Sequence, residues 1–371
     1  MKKKSSFRYR TCVTFLLFFA SVFLLFALKA GDSALYVLSA AVPGTILFLM
    51  LFPSRVFFLD RPSLAAALML SGLGIMSVAG TASDFAISLG WRYLSALFFL
   101  FFGAAFFRVY RPGVPSAVVL TFFSLLVISF PLLWKSTVRI TECGTVLLLL
   151  TVISFLSVRL CFPAVLSALA GITLFLAEHE VSAAFIAGIS LVLLLWVSSG
   201  SGLWSLLSLA VSAALFIGYF SLFPIQSPDE SYTGLLAAFP LLAPETPDFS
   251  LSSSNSLLLY LCRRFGSLFL LFSVLMLCII LFRGASLAVS ARKSCHASIA
   301  FCAILLYGLR TLFVLFMLSD LLPFPAGDFP FLTDSFPQLC TDYFLLGLLS
   351  GISFRNESDL REDVRLSMLT H

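Results

Sequence analysis

The chain has 371 residues, 60% of them hydrophobic and only 11% charged, with a mean hydropathy of +1.07 and a formal net charge of +5. A water-soluble domain carries roughly 45–50% apolar and about 25% charged residues, so these figures exclude a soluble enzyme or binding module and predict an all-α polytopic integral membrane protein. The excess of Lys and Arg is what cytoplasmic loops of membrane proteins carry, and no basic, aromatic-interleaved face exists, which excludes nucleic-acid binding.

Apolar runs of the length that a spanning helix needs, about 20 residues, recur about twelve times. The first two cover 12–28 and 33–52, and the next three cover 64–78, 93–107 and 116–133. Four follow at 144–160, 163–177, 182–198 and 203–223, and the last three lie at 256–282, 294–317 and 339–353. The basic tip with Lys2, Lys3, Lys4, Arg8 and Arg10 precedes the first run, which lacks a clear cleavage site and reads as an uncleaved span. An even span count with the N-terminus inside puts most Lys and Arg in the cytoplasm, together with both termini. This threading puts three irregular loops on the outer face, at 134–143, 224–255 and 320–338. The cytoplasmic side offers short basic connectors and a charged tail, 355–371, without a nucleotide-binding motif.

The eight cysteines form no C-x-x-C pair and lie mostly in or beside apolar runs, where a thiol behaves as a small hydrophobe. The three histidines are scattered. Neither a disulfide framework nor a zinc site has a spacing to support it.

Ionisable residues in or beside spans are the candidates for function, because charge near a bilayer is costly. Glu142 opens the sixth span, and Glu178, His179 and Glu180 form a short outer connection that reads either as a solvated turn or as part of a site. Arg263 and Arg264 fall about two turns inside the tenth span; they either snorkel outward or line a wet cavity. Adjacent helical residues point about 100° apart, so both cannot face lipid cheaply. Arg310 lies near the middle of the eleventh span and calls for a partner acid or a phosphate. A wet outer cavity lined by Arg and acids suits a lipid-linked anion, since the guanidinium fork binds phosphate through two hydrogen bonds.

The loop at 320–338 carries Pro323, Pro325, Pro330 and Pro337, which cannot all lie inside one helix. It must be a structured crossover at the membrane surface or a re-entrant loop lined by protein. Its Leu321, Leu322, Pro323, Pro330, Phe331 and Leu339, with Gly347, Leu348, Leu349, Ser350, Gly351, Ile352 and Ser353 closing the following helix, resemble the last outer loop and helix of the shape, elongation, division and sporulation family, the FtsW and RodA group of peptidoglycan glycosyltransferases. Weaker likenesses lie upstream. The segment 72–83 resembles the end of the family's first span, Ile140-Thr141-Glu142 its Pro-Ser-Glu element, and His179-Glu180 its Pro-Asp element.

The resemblance covers about 63–354 and implies a ten-helix domain there, preceded by an added helix pair within 1–62 and followed by the tail 355–371. It implies polymerisation of an undecaprenyl-diphosphate-linked disaccharide-peptide in the bacterial cytoplasmic membrane, beside a class B penicillin-binding transpeptidase and membrane lipids. In the family's outer loop the proposed catalytic acid is an Asp. Pro244-Glu245-Thr246-Pro247-Asp248-Phe249 resembles that element, whereas an ungapped count lands on Asn255, and both assignments stay open. Arg263, Arg264 and Arg310 would then hold diphosphate, Glu142 and Glu180 would order cations or cavity waters, and Pro330 would frame the substrate loop. A divalent cation is the one cofactor left open, and no metal cluster is expected.

The chain departs from the family at several points. Arg263-Arg264 replaces a Glu-Glu pair, Thr145 falls where the family has a Lys, and Asp334-Ser335-Phe336-Pro337-Gln338 replaces a Tyr-Gly-Gly-Ser-Ser run. These departures keep two alternatives in view: a non-catalytic scaffold that binds a transpeptidase, and a flippase or transporter of the lipid-linked precursor.

Overall fold

A computed structural model describes residues 33–51, 60–79, 83–134, 140–200, 202–223, 267–319, 321–322 and 327–369, with isolated helical positions within 17–28 and at 257, 258 and 262. Among the described residues regular structure is helical: α1 (Ser33–Leu51), α2 (Arg61–Ala79), α3 (Ser83–Val109), α4 (Val114–Trp134), α5 (Thr141–Ser157), α6 (Cys161–Ala177), α7 (Val181–Ser199), α8 (Gly202–Leu222), α9 (Ser267–Ser290), α10 (Ser294–Leu318) and α11 (Phe336–Leu369). Six of them, α3, α4, α7, α8, α9 and α10, contain segments long and apolar enough to cross a membrane, and four more are shorter apolar helices. The protein is a multi-pass membrane protein.

Helix starts follow the prolines. Pro62, Pro115, Pro163 and Pro337 each occupy the second or third position of a helix, where a missing N–H costs nothing. The last helix differs from the sequence expectation. Instead of a short span at 339–353, α11 runs 34 residues and carries the charged tail with it. α9 runs from Ser267 to Ser290, past the expected end of the tenth span at 282, and most of 256–266 lies outside the described residues. The expected first span, 12–28, lies largely outside the described residues.

The chain clusters into two compact units. One comprises the chain to Ala104, Pro240–Arg283 and Phe331–Phe354; the other comprises Ala105–Phe239, Gly284–Pro330 and the end of the chain.

In the second unit, α5, α6 and α7 are joined by two connectors of the same design. Arg159 and His179 each take the left-handed conformation at φ 62° just past a helix end. The following amides close the turn back onto the helix, Leu160 N–H to the Phe155 carbonyl at 3.0 Å and Glu180 N–H to the Phe175 carbonyl at 2.9 Å. This is the six-to-one bond of a Schellman cap, with a charged residue and a histidine where glycine is usual. The hairpins bring Leu148, Ile172, Phe175, Leu191 and Phe216 into one buried cluster, with the Phe185 and Phe216 rings stacked at 3.9 Å.

In the first unit, α3 and α11 cross backbone to backbone. A Cβ on Gly347 would overlap the Leu100 carbonyl oxygen and reach the Ala104 nitrogen at 2.9 Å, and one on Gly103 would overlap the Phe344 carbonyl oxygen. Small residues at such a crossing let helix backbones touch, the usual device of packing in membranes. At the start of α2, the buried Asp60 accepts from Arg283 Nε at 2.8 Å and from the Ser63 hydroxyl at 2.6 Å.

Candidate functional site

Two polar clusters are built around the chain between α10 and α11, one in each unit. In the second unit, Arg310 projects from α10 and is buried to 2% side-chain exposure, while Glu142 projects from the first turn of α5 at 19%. Arg310 Nε stands 3.6 Å from Glu142 Oε2, an ion pair. The partner acid that Arg310 called for is therefore Glu142. The other carboxylate oxygen faces the loop, since a Cβ on Gly327 would lie 3.3 Å from Glu142 Oε1. A charge this deep is tolerated where a partner offsets it, and such pairs mark pathways for substrates and ions.

In the first unit, the centre is Phe331. Phe329 to Leu332 form a tight turn with Pro330 at its second position. Phe331, at the third, holds φ 62°. That corner normally takes glycine, and a bulky side chain there costs on the order of 1–2 kcal/mol. Three contacts hold it. The Phe331 N–H donates to Asp342 Oδ2 at 2.9 Å, the Tyr93 hydroxyl donates to the Phe331 carbonyl at 3.0 Å, and the Phe331 ring meets the Tyr343 ring edge to face at 5.4 Å. Ser71 and Tyr343 share a hydrogen bond of 2.6 Å, and Arg92 donates to the Asp334 carbonyl at 2.8 Å. Phe331, Leu332, Thr333 and Asp342 are all 0% exposed, whereas Asp334 beside them is exposed. Backbone held in a sparsely populated conformation by surrounding structure is characteristic of binding and switch sites.

The structure brings Glu142 together with Arg310, and it places Pro330 inside the buried turn. Glu180 stands at the N-cap position of α7 without a side-chain cap hydrogen bond, and a carboxylate there complements the positive helix end. Its neighbour Glu178 closes α6, and its carboxyl is pushed up to about 7, first by burial and then by the Glu180 charge, with a hydrogen bond to the Leu132 backbone pulling the other way. His179 Nδ1 pairs with the Tyr219 hydroxyl at 2.9 Å. Asp248, Asn255, Arg263 and Arg264 lie outside the described residues. A divalent cation does not fit the described donors: Glu142 already faces the Arg310 cation, and no three acidic, His or Cys side chains come together among the described residues.

Sequence reasoning missed Asp342, Tyr93 and Ser71. Asp342 had a signal, an acid within an apolar run, which the same rule that singled out Glu142 would have found. Tyr93 and Ser71 had none, because their partners lie 238 and 272 residues away in the chain. No family model matches the chain, and no curated protein matches it.

Proposed function

We propose that this protein binds a lipid-linked diphosphate glycan precursor beside the α10–α11 loop and polymerises it, as a divergent peptidoglycan glycosyltransferase of the bacterial cytoplasmic membrane, partnered by a class B penicillin-binding transpeptidase. The observation that carries the reading is the Arg310–Glu142 pair next to Gly327. Arg310 offers a diphosphate the two-pronged donor set that suits it, in a site from which water is largely excluded. Glu142 keeps that cation paired until an anion arrives to compete for it. Asp248, in the sequence before α9, is the base that takes the proton from the acceptor sugar hydroxyl as it attacks the anomeric carbon and the lipid diphosphate leaves. Asn255, the other aligned residue, is an amide and cannot take that proton.

A scaffold role is the second reading. It draws support from the altered loop centre, where Phe336 and Pro337 begin α11 in place of small residues.

Titrating undecaprenyl diphosphate into the purified full-length protein tests the binding step. Wild type should bind saturably, and Arg310→Met should weaken binding by about tenfold or more, the loss of one charge-assisted contact worth about 1.5–3 kcal/mol. Equal binding by both proteins rules Arg310 out as the diphosphate ligand.

A further inference from the structure

The first unit contains a cleft that no polymerase chemistry uses. It has a volume of about 250 Å³ and lies among α1, α2 and α3, closed at its inner end by Tyr343 of α11. Each helix turns a single stripe toward it. On α1 these are positions 38, 41, 42, 45 and 46; on α2, 68, 71, 72 and 75; on α3, 87, 90, 94 and 97. Such three- and four-residue spacings are one face of a helix. The hydroxyls at the wall are already engaged: Thr45 donates to the Ala41 carbonyl at 2.7 Å, Ser71 pairs with Tyr343, and Tyr93 donates to the Phe331 carbonyl.

Close-packed interiors leave few voids larger than a water molecule. An apolar cavity of about 150 Å³ stays dry and takes up an apolar guest, whereas a resident water needs two to four polar partners. This cleft is larger than that and offers no such set. Its lip is apolar and open, with Val37 67% and Trp91 64% exposed, while Leu38, Ile46, Leu68 and Ile75 form a buried floor. The lip belongs to apolar helices of a membrane protein: α3 is long and apolar enough to cross a membrane, and α1 is a shorter apolar helix. Pro43 lies in the middle of the α1 stripe, and it removes the N–H that would bond the Ser39 carbonyl, a usual cause of a bend in a helix.

We propose that this cleft is a binding site for a single hydrocarbon chain of a membrane lipid, entering between α1 and α3. The inner end of the chain abuts Tyr93 and Tyr343, the two side chains that hold the left-handed turn at Phe331.

The test uses the full-length protein in nanodiscs doped with phosphatidylglycerol that carries a diazirine in mid-chain, followed by illumination and peptide mapping. Labelling should concentrate on 37–46 and 87–97. Val42→Trp, which fills the cleft from α1, should lower that labelling by about tenfold, equivalent to about 1.4 kcal/mol. Gly90→Leu provides a second filling from α3, where a Cβ meets its first neighbour, Leu38 Cδ2, at 3.5 Å. Val118→Trp, on an exposed face of α4, should leave the labelling unchanged. Competition by excess undecaprenol identifies an isoprenoid chain, and competition by unlabelled phosphatidylglycerol alone identifies a fatty acyl chain. Labelling spread evenly over all lipid-facing helices, labelling insensitive to both filling variants, or a lack of competition by either lipid overturns the proposal.

Discussion

Removing one member of the Glu142–Arg310 pair should cost far more than removing both. At 3.6 Å the attraction is about 5 kcal/mol in an effective dielectric of about 20, before the cost of dehydrating either charge. The two partners are unequal: the Arg310 side chain is 2% exposed and that of Glu142 19%. Glu142→Gln strands a buried cation and should destabilise the protein by about 3–5 kcal/mol. Arg310→Met leaves a carboxylate with some access to water and should cost less. The double variant removes both charges and should lie close to wild type, so the cycle should return a coupling at least as large as the Glu142→Gln loss, about 3–5 kcal/mol. Reversible unfolding of the four proteins in mixed micelles, by titration with a denaturing detergent, measures these differences. Additive effects within about 0.5 kcal/mol would refute the claim that the two side chains act as a pair.

Three further outcomes follow from other parts of the molecule. Asp342→Leu leaves the buried Phe331 N–H without its acceptor and should cost about 1–3 kcal/mol, whereas Asp342→Asn keeps a carbonyl acceptor and should cost less; equal losses in the same unfolding assay would remove the hydrogen bond from the explanation. Gly347→Leu has no room at the crossing with α3 and should abolish the folded protein on size-exclusion chromatography, while Gly308→Ala, where a Cβ meets nothing within 4 Å, should leave it intact. The raised carboxyl of Glu178 binds its proton more tightly when folded than at its free value of 4.5. That stabilisation is fully present below pH 4.5 and is lost as pH rises to about 7. The unfolding temperature of wild type should therefore fall across that window more than that of Glu178→Gln, and parallel curves would contradict it.

The membrane class was legible from composition, and most helix positions from apolar runs and prolines. Arg310 was legible as a charge too deep to lack a partner, but the partner was not, because Glu142 lies 168 positions away and only the packing of α5 against α10 joins them. The turn at Phe331 was hidden for a different reason. Residue preference calls for glycine at a left-handed corner, and only Asp342, Tyr93 and Tyr343, all distant in the chain or on the next helix, hold a phenylalanine there. Likewise Gly347 stood in a matching motif, but its reason for being glycine is the α3 backbone at Leu100 and Ala104.

The most direct test of the account is polymerisation of undecaprenyl-diphosphate-linked disaccharide-peptide by the purified full-length protein with its transpeptidase partner. Wild type and Asn255→Ala should produce glycan strands, and Asp248→Ala none. Absence of product from wild type, with diphosphate binding intact, would contradict the polymerase and leave the scaffold.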